Sequence, residues 1–345
     1  MTISNVLLCG FGAFGAHHAR AWRELGKTVL VAEPDTQARE RAHALGMAKM
    51  DIAASPSDLL ERADCVDIVS PPATHLELTI TALGAGKPVL LEKPAVTSAA
   101  EAKCLMDMQA KSERPVQVNV LLRAHPMTVR ALNLIESGAI GSLLLMDGRF
   151  CGWKRQHRSV GLLYNDGVHF LDLMRLFARA PIDRVSARAL SLLGHDKPDD
   201  ISIDLIHANG IQGRLALGLL VPGASEDSFV SGAQTDKVLR LVGDRGALTL
   251  DFNSNDLTLQ SVSFDVSSSA VRVVPGRVEQ ENFGDATPQT LLQESIRAFL
   301  ASVDGAPPLA PLREAALELA RVMDGIQAAI RHPQHRDLLV QEASL

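Results

Sequence analysis

The chain has 345 residues, of which 46% are hydrophobic, 21% charged and only 4% aromatic, the proportions of a water-soluble globular protein of about two domains. Its 34 basic and 40 acidic side chains leave a formal charge of -6, beside a single Tyr and two Trp. That balance argues against a nucleic-acid surface, which needs a basic stripe and stacking aromatics. The longest apolar run, Leu215 to Ala224, is about half of the ~20 residues a membrane span requires. The opening stretch has no Lys or Arg ahead of its apolar residues, unlike a secretory signal. Four cysteines, Cys9, Cys65, Cys104 and Cys151, are scattered without a Cys-x-x-Cys spacing. This fits a reducing cytoplasm and speaks against a disulfide scaffold or a thiolate zinc site. The expectation is a soluble cytoplasmic protein that binds neither nucleic acid nor membrane.

The first third alternates short β-branched or Leu-rich runs with segments of helical period. Strands are expected at Val6–Leu8, Thr28–Val31, Val66–Val69, Pro88–Leu91 and Val116–Val120, with a weaker one near Met47–Met50. Helices are expected over Phe14–Leu25, Thr36–Leu45, Thr74–Leu83 and Ala99–Met108. Gly26, Gly46 and Gly86 fall where helices need left-handed caps. This rhythm predicts right-handed βαβ units and a doubly wound parallel sheet over residues 1–121.

After Val120 the pattern changes. A helix over Met127–Ser137 leads through Gly138 and Gly141 to an apolar run, Ser142–Met146, and a second helix spans about Val168–Phe177. From Arg184 to Gln280 strands alternate, with hairpin signals at Asn209-Gly210 and Gly243–Gly246. A helix opening at Thr287-Pro288 and another over Pro311–Ile330 close the chain. Residues 122–345 therefore read as an α+β domain with a large, mostly antiparallel open sheet, whose last helices are candidates to pack back on the first domain.

Gly10-Phe11-Gly12-Ala13-Phe14-Gly15 is a G-x-G-x-x-G at the junction of the first strand and helix. Gly10 permits the tight turn, Gly12 lets backbone approach a pyrophosphate, and Gly15 allows close helix–strand packing. The N–H groups of the helix start complete a phosphate cradle. Glu33 ends the second strand about 20 residues beyond Gly15, where a carboxylate receives the ribose hydroxyls. It would repel a 2′-phosphate, and the next residues, Pro34 and Asp35, offer no compensating Arg. NAD is expected in preference to NADP.

Ligands of open parallel sheets sit at the carboxyl ends of the strands. One such end runs into Ser70-Pro71-Pro72-Ala73-Thr74-His75, and another into Glu92-Lys93-Pro94. Lys93 is a candidate catalytic cation held in extended backbone by Pro94, whose peptide bond is a candidate cis bond; the alternative is a solvated loop lysine. Asn165, His169 and Asp172 share one face if their segment is α-helical. They form a redox site or a surface stripe with Asp172 paired to Arg175; alternatively Asp166, His169 and Asp172 are metal ligands, though no further cluster completes a coordination sphere. The remaining histidines, His17, His18, His332 and His335 among them, read as structural or solvated.

The chain resembles the glucose–fructose oxidoreductase / inositol dehydrogenase (Gfo/Idh/MocA) family. The resemblance rests on the Gly10–Gly15 turn followed by His18, Ser70-Pro71-Pro72-x-x-His75, Glu92-Lys93-Pro94, Gly138-x-Ile140-Gly141 and Gly167-x-His169-x-x-Asp172. It implies a Rossmann domain, a second domain whose open sheet mediates assembly into dimers or tetramers, and a nicotinamide cofactor contacted by Ser70, Pro72, His75, Glu92 and Lys93. It also implies oxidation of a ring hydroxyl in a sugar or cyclitol, with Lys93, Asn165, His169 and Asp172 at the substrate. Lys93 contacts the substrate hydroxyl, and His169 exchanges its proton. The family often carries Asp four residues before this His; here that place is Asn165, with Asp166 next to it. An amide orients a hydroxyl but takes no proton.

Other readings of the same motifs are a nucleotide-sugar 3-dehydrogenase, to which Asn165 is similar, a glycosidase- or lyase-like enzyme using NAD transiently, and a non-catalytic NAD-binding regulator. The intact Lys93-Pro94 argues against the last. Lys154, Arg155, His157 and Arg158 are either a site for an anionic group such as a diphosphate or a solvated loop.

Overall fold

A computed structural model describes residues 2–154, 161–194, 196–224, 226–227, 232–265, 267, 271–332 and 338–340. The chain divides into two compact units, Met1–Ala124 with Gln289–Ala320, and His125–Pro288 with Arg321–Leu345. None of the described helices is long and apolar enough to cross a membrane.

The first unit opens with β1 (Asn5–Cys9), α1 (Ala13–Glu24), β2 (Thr28–Ala32), α2 (Thr36–Ala44) and β3 (Ile52–Ala53). It continues with β4 (Cys65–Ile68), α3 (His75–Gly84), β5 (Val89–Glu92), α4 (Ala99–Ser112) and β6 (Val116–Asn119). All six strands are parallel neighbours in the order β3-β2-β1-β4-β5-β6. This is the doubly wound order whose topology reverses between β1 and β4, where such sheets bind dinucleotides. The strands are buried on both faces, as crossover helices require, so they read as unbroken apolar runs such as Val-Leu-Leu. Leu7, Leu30, Val66, Leu91 and Val118 share one core with Leu312, Ala316 and Ala320 from the late segment.

One expectation for this unit shifts. The weak strand near Met47–Met50 is a loop and a short 3-10 turn, Lys49–Asp51, and pairing with β2 begins at Ile52. Gly46 ends α2 in a left-handed conformation, φ +85. The chain then spends Met47 as a buried plug and turns Met50 outward before it reaches the sheet edge.

The second unit runs through α5 (Pro126–Glu136), β7 (Leu143–Trp153), α6 (Val168–Ala178), β8 (Ile182–Leu190), β9 (Asp200–His207) and β10 (Gln212–Gly218). β11 (Gln234–Gly243), β12 (Gly246–Asp251), β13 (Asp256–Asp265) and β14 (Arg272–Asn282) follow. α7 (Pro288–Val303) lies almost wholly in the first unit, α8 (Leu319–Arg331) mostly in the second, and β15 (Leu338–Leu339) closes the sheet. The nine strands are ordered β14-β13-β12-β11-β7-β10-β9-β8-β15, antiparallel except for β7 with β10. The Asn209-Gly210 and Gly243–Gly246 hairpins form as expected.

Alternation in β9 shows the two environments of this sheet. Ile201, Ile203 and Leu205 are buried, whereas Ser202, Asp204 and Ile206 face out. α6 presses so closely on the buried face that a Cβ on Gly148 would lie 2.9 Å from the Met174 side chain. Phe170, Leu171, Met174 and Phe177 of α6 are buried. The edge strand β14 is exposed along nearly its whole length.

Candidate active site

In the first unit, the candidate cofactor residues gather at the carboxyl ends of β1, β2, β4 and β5. Gly10 adopts φ +103, and a Cβ there would meet the Ser70 backbone nitrogen at 2.8 Å. Only glycine can turn there, because the β1 and β4 ends approach so closely. A Cβ on Gly15 would lie 2.4 Å from the Gly10 carbonyl oxygen, which is how α1 starts tight against β1. Gly12, by contrast, has nothing within 4 Å of a built Cβ. Gly12, Ala13 and Phe14 form the exposed crest of the turn, and no side chain caps α1. An uncapped helix start beneath an open backbone crest fits a pyrophosphate.

Glu33 is buried at the end of β2 and braces this turn. Its Oε2 accepts the Phe11 N–H at 2.6 Å and its Oε1 accepts the Asp35 N–H at 2.9 Å. Each oxygen retains a lone pair for a ribose hydroxyl. The structure corrects one expectation: an Arg does lie nearby. Arg39, one turn into α2, donates to the carbonyl oxygens of Glu33 and Pro34, both at 2.7 Å, and to the Thr36 hydroxyl. Helical folding brings it back over the strand end, which reading only the adjacent residues misses.

Ser70 and Pro72 are half-buried beyond β4. His75 is fully buried, its ring nitrogens facing the carbonyl oxygens of Ser70 at 2.8 Å and Pro94 at 3.0 Å. It therefore ties the loop after β4 to the loop after β5. Burial holds its pKa below the ordinary histidine range. Lys93 is half-buried beside a cis bond to Pro94.

Beneath Lys93 lies a charged network that the sequence hides. His18 is fully buried, its Nδ1 2.8 Å from Asp67 Oδ2 and its Nε2 3.1 Å from Glu92 Oε1. Trp22 Nε1–H donates to Asp67 at 2.6 Å, and Asn119 donates to Glu92. Burial opposes a charge on His18, but the two carboxylates outweigh it and push its pKa up to about 10. Burial likewise opposes the charge on Glu92, yet His18, Lys93 and Asn119 hold its carboxyl below the usual range. Glu92 Oε2 accepts the Lys93 N–H at 3.1 Å, so the network fixes the backbone that carries Lys93. The Gly-rich turn followed by His18 was the available signal, but its partners stand 49 and 74 residues away.

The second unit gathers its own candidates against Phe150. The His169 ring centroid lies 6.3 Å from that of Phe150. Asn165 does not sit in an α-helix. Residues Leu163–Gly167 form a π turn ahead of α6, so the α-helical spacing to His169 does not apply. Asp172 is fully buried, while Asn165 and His169 are half-buried, which is not the profile of a solvated stripe. Asn165 Nδ2 donates to Asp166 Oδ1 at 2.8 Å, and Asp166 Oδ2 is 2.8 Å from Lys154 Nζ. Lys237, opposite Phe150 on β11, pairs with Asp227 at 2.6 Å. Burial pulls its pKa below the ordinary lysine range despite that partner. Lys154 is thus a buried, paired group, whereas Arg155, His157 and Arg158 lie outside the described residues. Among the described residues no group of three His, Cys, Asp or Glu is placed to hold a metal ion. Burial pushes the thiols of Cys9 and Cys151 up to about 12, so neither is a nucleophile near neutral pH.

A six-stranded doubly wound sheet with a glycine turn at its switch point and a strand-end acid defines an NAD-binding Rossmann unit, here joined to a second, mostly antiparallel unit. Residues 4–120 match the oxidoreductase family with an NAD-binding Rossmann fold, and residues 128–249 match the same family's C-terminal domain. The chain belongs to the Gfo/Idh/MocA family, and it is an NAD(P)-dependent dehydrogenase. It is similar to an inositol 2-dehydrogenase of Rubrobacter xylanophilus, at 29% identity over 249 residues covering 69% of each chain. It is also 29% identical to a dTDP-3,4-didehydro-2,6-dideoxy-alpha-D-glucose 3-reductase of Streptomyces violaceoruber, over 65% of this chain and 64% of that one. Among solved structures, the UDP-N-acetylglucosamine 3-dehydrogenase of Acidithiobacillus ferrooxidans superposes with a TM-score of 0.77. That match covers 97% of this chain and all of the other at 20% identity, and shows a shared fold.

Proposed function

We propose that this protein transfers hydride between a secondary hydroxyl of a sugar, cyclitol or sugar derivative and NAD. The observation that supports this most is the convergence of the Gly10–Gly15 turn, Glu33, Ser70 and Lys93 at one end of the parallel sheet. When bound, the nicotinamide supplies the hydride acceptor. Gly12 and the α1 start bind the pyrophosphate, Glu33 receives the ribose hydroxyls, and Ser70 and Pro72 line the cofactor, with His75 and Glu92 holding the loops that carry the contacts. Lys93 donates an ammonium N–H to the substrate hydroxyl oxygen and stabilises developing alkoxide charge. Neutral His169 takes the proton, Asn165 orients the hydroxyl through its amide, and Asp172 fixes the substrate side of α6.

Glu33 favours NAD over NADP because its carboxylate opposes a 2′-phosphate. Arg39 is committed to carbonyl oxygens, so it does not neutralise that repulsion. A nucleotide-linked sugar oxidised at its 3-hydroxyl is the second reading, favoured by Asn165 at the place where the family often has Asp.

Nicotinamide absorbance during incubation with NAD and a panel of cyclitols, monosaccharides and nucleotide sugars tests the proposal. Turnover is expected on at least one member; a panel without turnover contradicts it. Asn165→Asp is expected to retain or raise kcat, and a collapse would show that the amide itself reads the substrate. The exposed sheet edge, with Phe264 and Val273 directly opposite each other and both exposed, suits assembly of a dimer or tetramer through the open sheet.

A further inference from the structure

One cluster in the second unit has chemistry that the roles above leave unused. Two ammonium groups approach the Phe150 ring, Lys154 Nζ at 4.2 Å and Lys237 Nζ at 5.1 Å from its centroid. Their side chains are only 6% and 7% exposed. Buried ammoniums need counter-ions, and Asp166 and Asp227 supply them. The two pairs then differ. Asp227 Oδ2 also accepts the Thr235 hydroxyl, which accepts the Asn253 amide, and Lys237 N–H donates to that Asn253. That pair sits in a closed structural network.

The Lys154–Asp166 pair is open. Asn165 engages Asp166 Oδ1. Among the described residues, however, neither Lys154 Nζ nor Asp166 Oδ2 makes a hydrogen bond of good geometry, although both atoms are buried and stand 2.8 Å apart. A buried donor and a buried acceptor left unsatisfied side by side are costly unless a third group bonds to both. A hydroxyl does so, accepting from the ammonium and donating to the carboxylate. A carboxylate or phosphate satisfies only the ammonium and is repelled by Asp166.

We infer that Lys154 and Asp166 clamp a hydroxyl of a neutral polyol, on the same ring as the carbinol that His169 deprotonates. Lys154 and His169 both border Phe150, and Asp166 lies three residues before His169, so one sugar-sized ring reaches both. Lys154 is thereby a specificity-determining residue for an uncharged hydroxyl, not an anion site. This rests on the dehydrogenase reading above.

Steady-state kinetics of the full-length protein with NAD tests it, using myo-inositol, D-glucose, their monodeoxy analogues, D-glucuronate and D-glucose 6-phosphate. At one ring position wild type should prefer the parent over its deoxy analogue by about 100-fold or more in kcat/KM. Lys154→Met and Asp166→Asn should shrink that preference to about threefold, mainly through KM of the parent. Three results overturn the clamp. One is equal use of the parent and every deoxy analogue by wild type, which stands even if Lys154→Met fails to fold. Another is an equal loss on parent and deoxy analogue in both variants. The third is a preference for glucuronate or glucose 6-phosphate that Lys154→Met abolishes. Wild type inactive on this panel and on the nucleotide sugars above removes the proposed substrate reading instead. Calorimetry of the NADH complex with the same polyols then decides the clamp: binding that Lys154→Met loses supports it, and no binding by wild type overturns it.

Discussion

His18 shows what one side chain can carry in this fold. An imidazole between two buried carboxylates stays protonated well above neutral pH, because Asp67 and Glu92 would otherwise face each other in a dry interior. Its pKa rises on folding from the ordinary value of about 6.5 to about 10. Its stabilisation is therefore complete below about pH 6.5 and is lost as the pH rises through the folded value. Glu92 runs the opposite way, since its lowered pKa contributes above the ordinary carboxyl range and fades in acid. His18→Leu should cost about 3–5 kcal/mol in denaturant unfolding near pH 7, because it leaves two buried carboxylates without their cation. Calorimetric melting should show wild type losing stability between about pH 6.5 and pH 10, with that loss flattened in the variant. An unchanged slope would mean that His18 is neutral in the folded protein.

Glu33 belongs to the same scale. Its charge opposes a 2′-phosphate while Arg39 stands one helical turn away. Glu33→Gln should lower the NAD over NADP preference in kcat/KM by about tenfold or more. A variant that keeps the wild-type ratio would show that selectivity resides elsewhere.

Among elements, the glycine turn separates folding from binding. Gly12 has open space above it and a φ of -69, which alanine adopts freely. Gly12→Ala should change stability by less than about 1 kcal/mol, while the dissociation constant for NAD, read by calorimetry, rises about tenfold or more. Gly15→Ala places a Cβ against the Gly10 carbonyl and should cost about 1–3 kcal/mol in chemical unfolding. Equal effects of the two substitutions would contradict this division.

Elements also mark the limits of reading a sequence. The βαβ rhythm, the glycine caps and the two hairpins are local signals, and they were legible. The π turn at Leu163–Gly167 was not, since nothing in Leu-Tyr-Asn-Asp-Gly distinguishes it from an α-helical turn. The partnership of Lys154 with Asp166 depends on a strand end meeting that turn, and no sequence spacing encodes it.

For the molecule as a whole, family membership follows from motifs at strand ends, whereas the Lys154–Asp166 pair proposed to read the substrate is a tertiary meeting that only folding creates. The nine-stranded sheet leaves Phe264 and Val273 exposed at its edge. Phe264→Asp with Val273→Asp should shift the mass seen by light scattering toward the monomer while leaving NAD affinity unchanged. A wild type that is already monomeric would contradict assembly through this face.

Hydride transfer itself is most directly tested with polyols deuterated at single carbinol carbons, mixed with NAD and the intact protein and followed by nicotinamide absorbance and mass spectrometry. Deuterium should appear in the reduced cofactor from one carbon, and Lys93→Met should lose most of that transfer while still binding NAD. Reduced cofactor without deuterium from any labelled carbon, or a Lys93→Met variant with full turnover, would contradict the account.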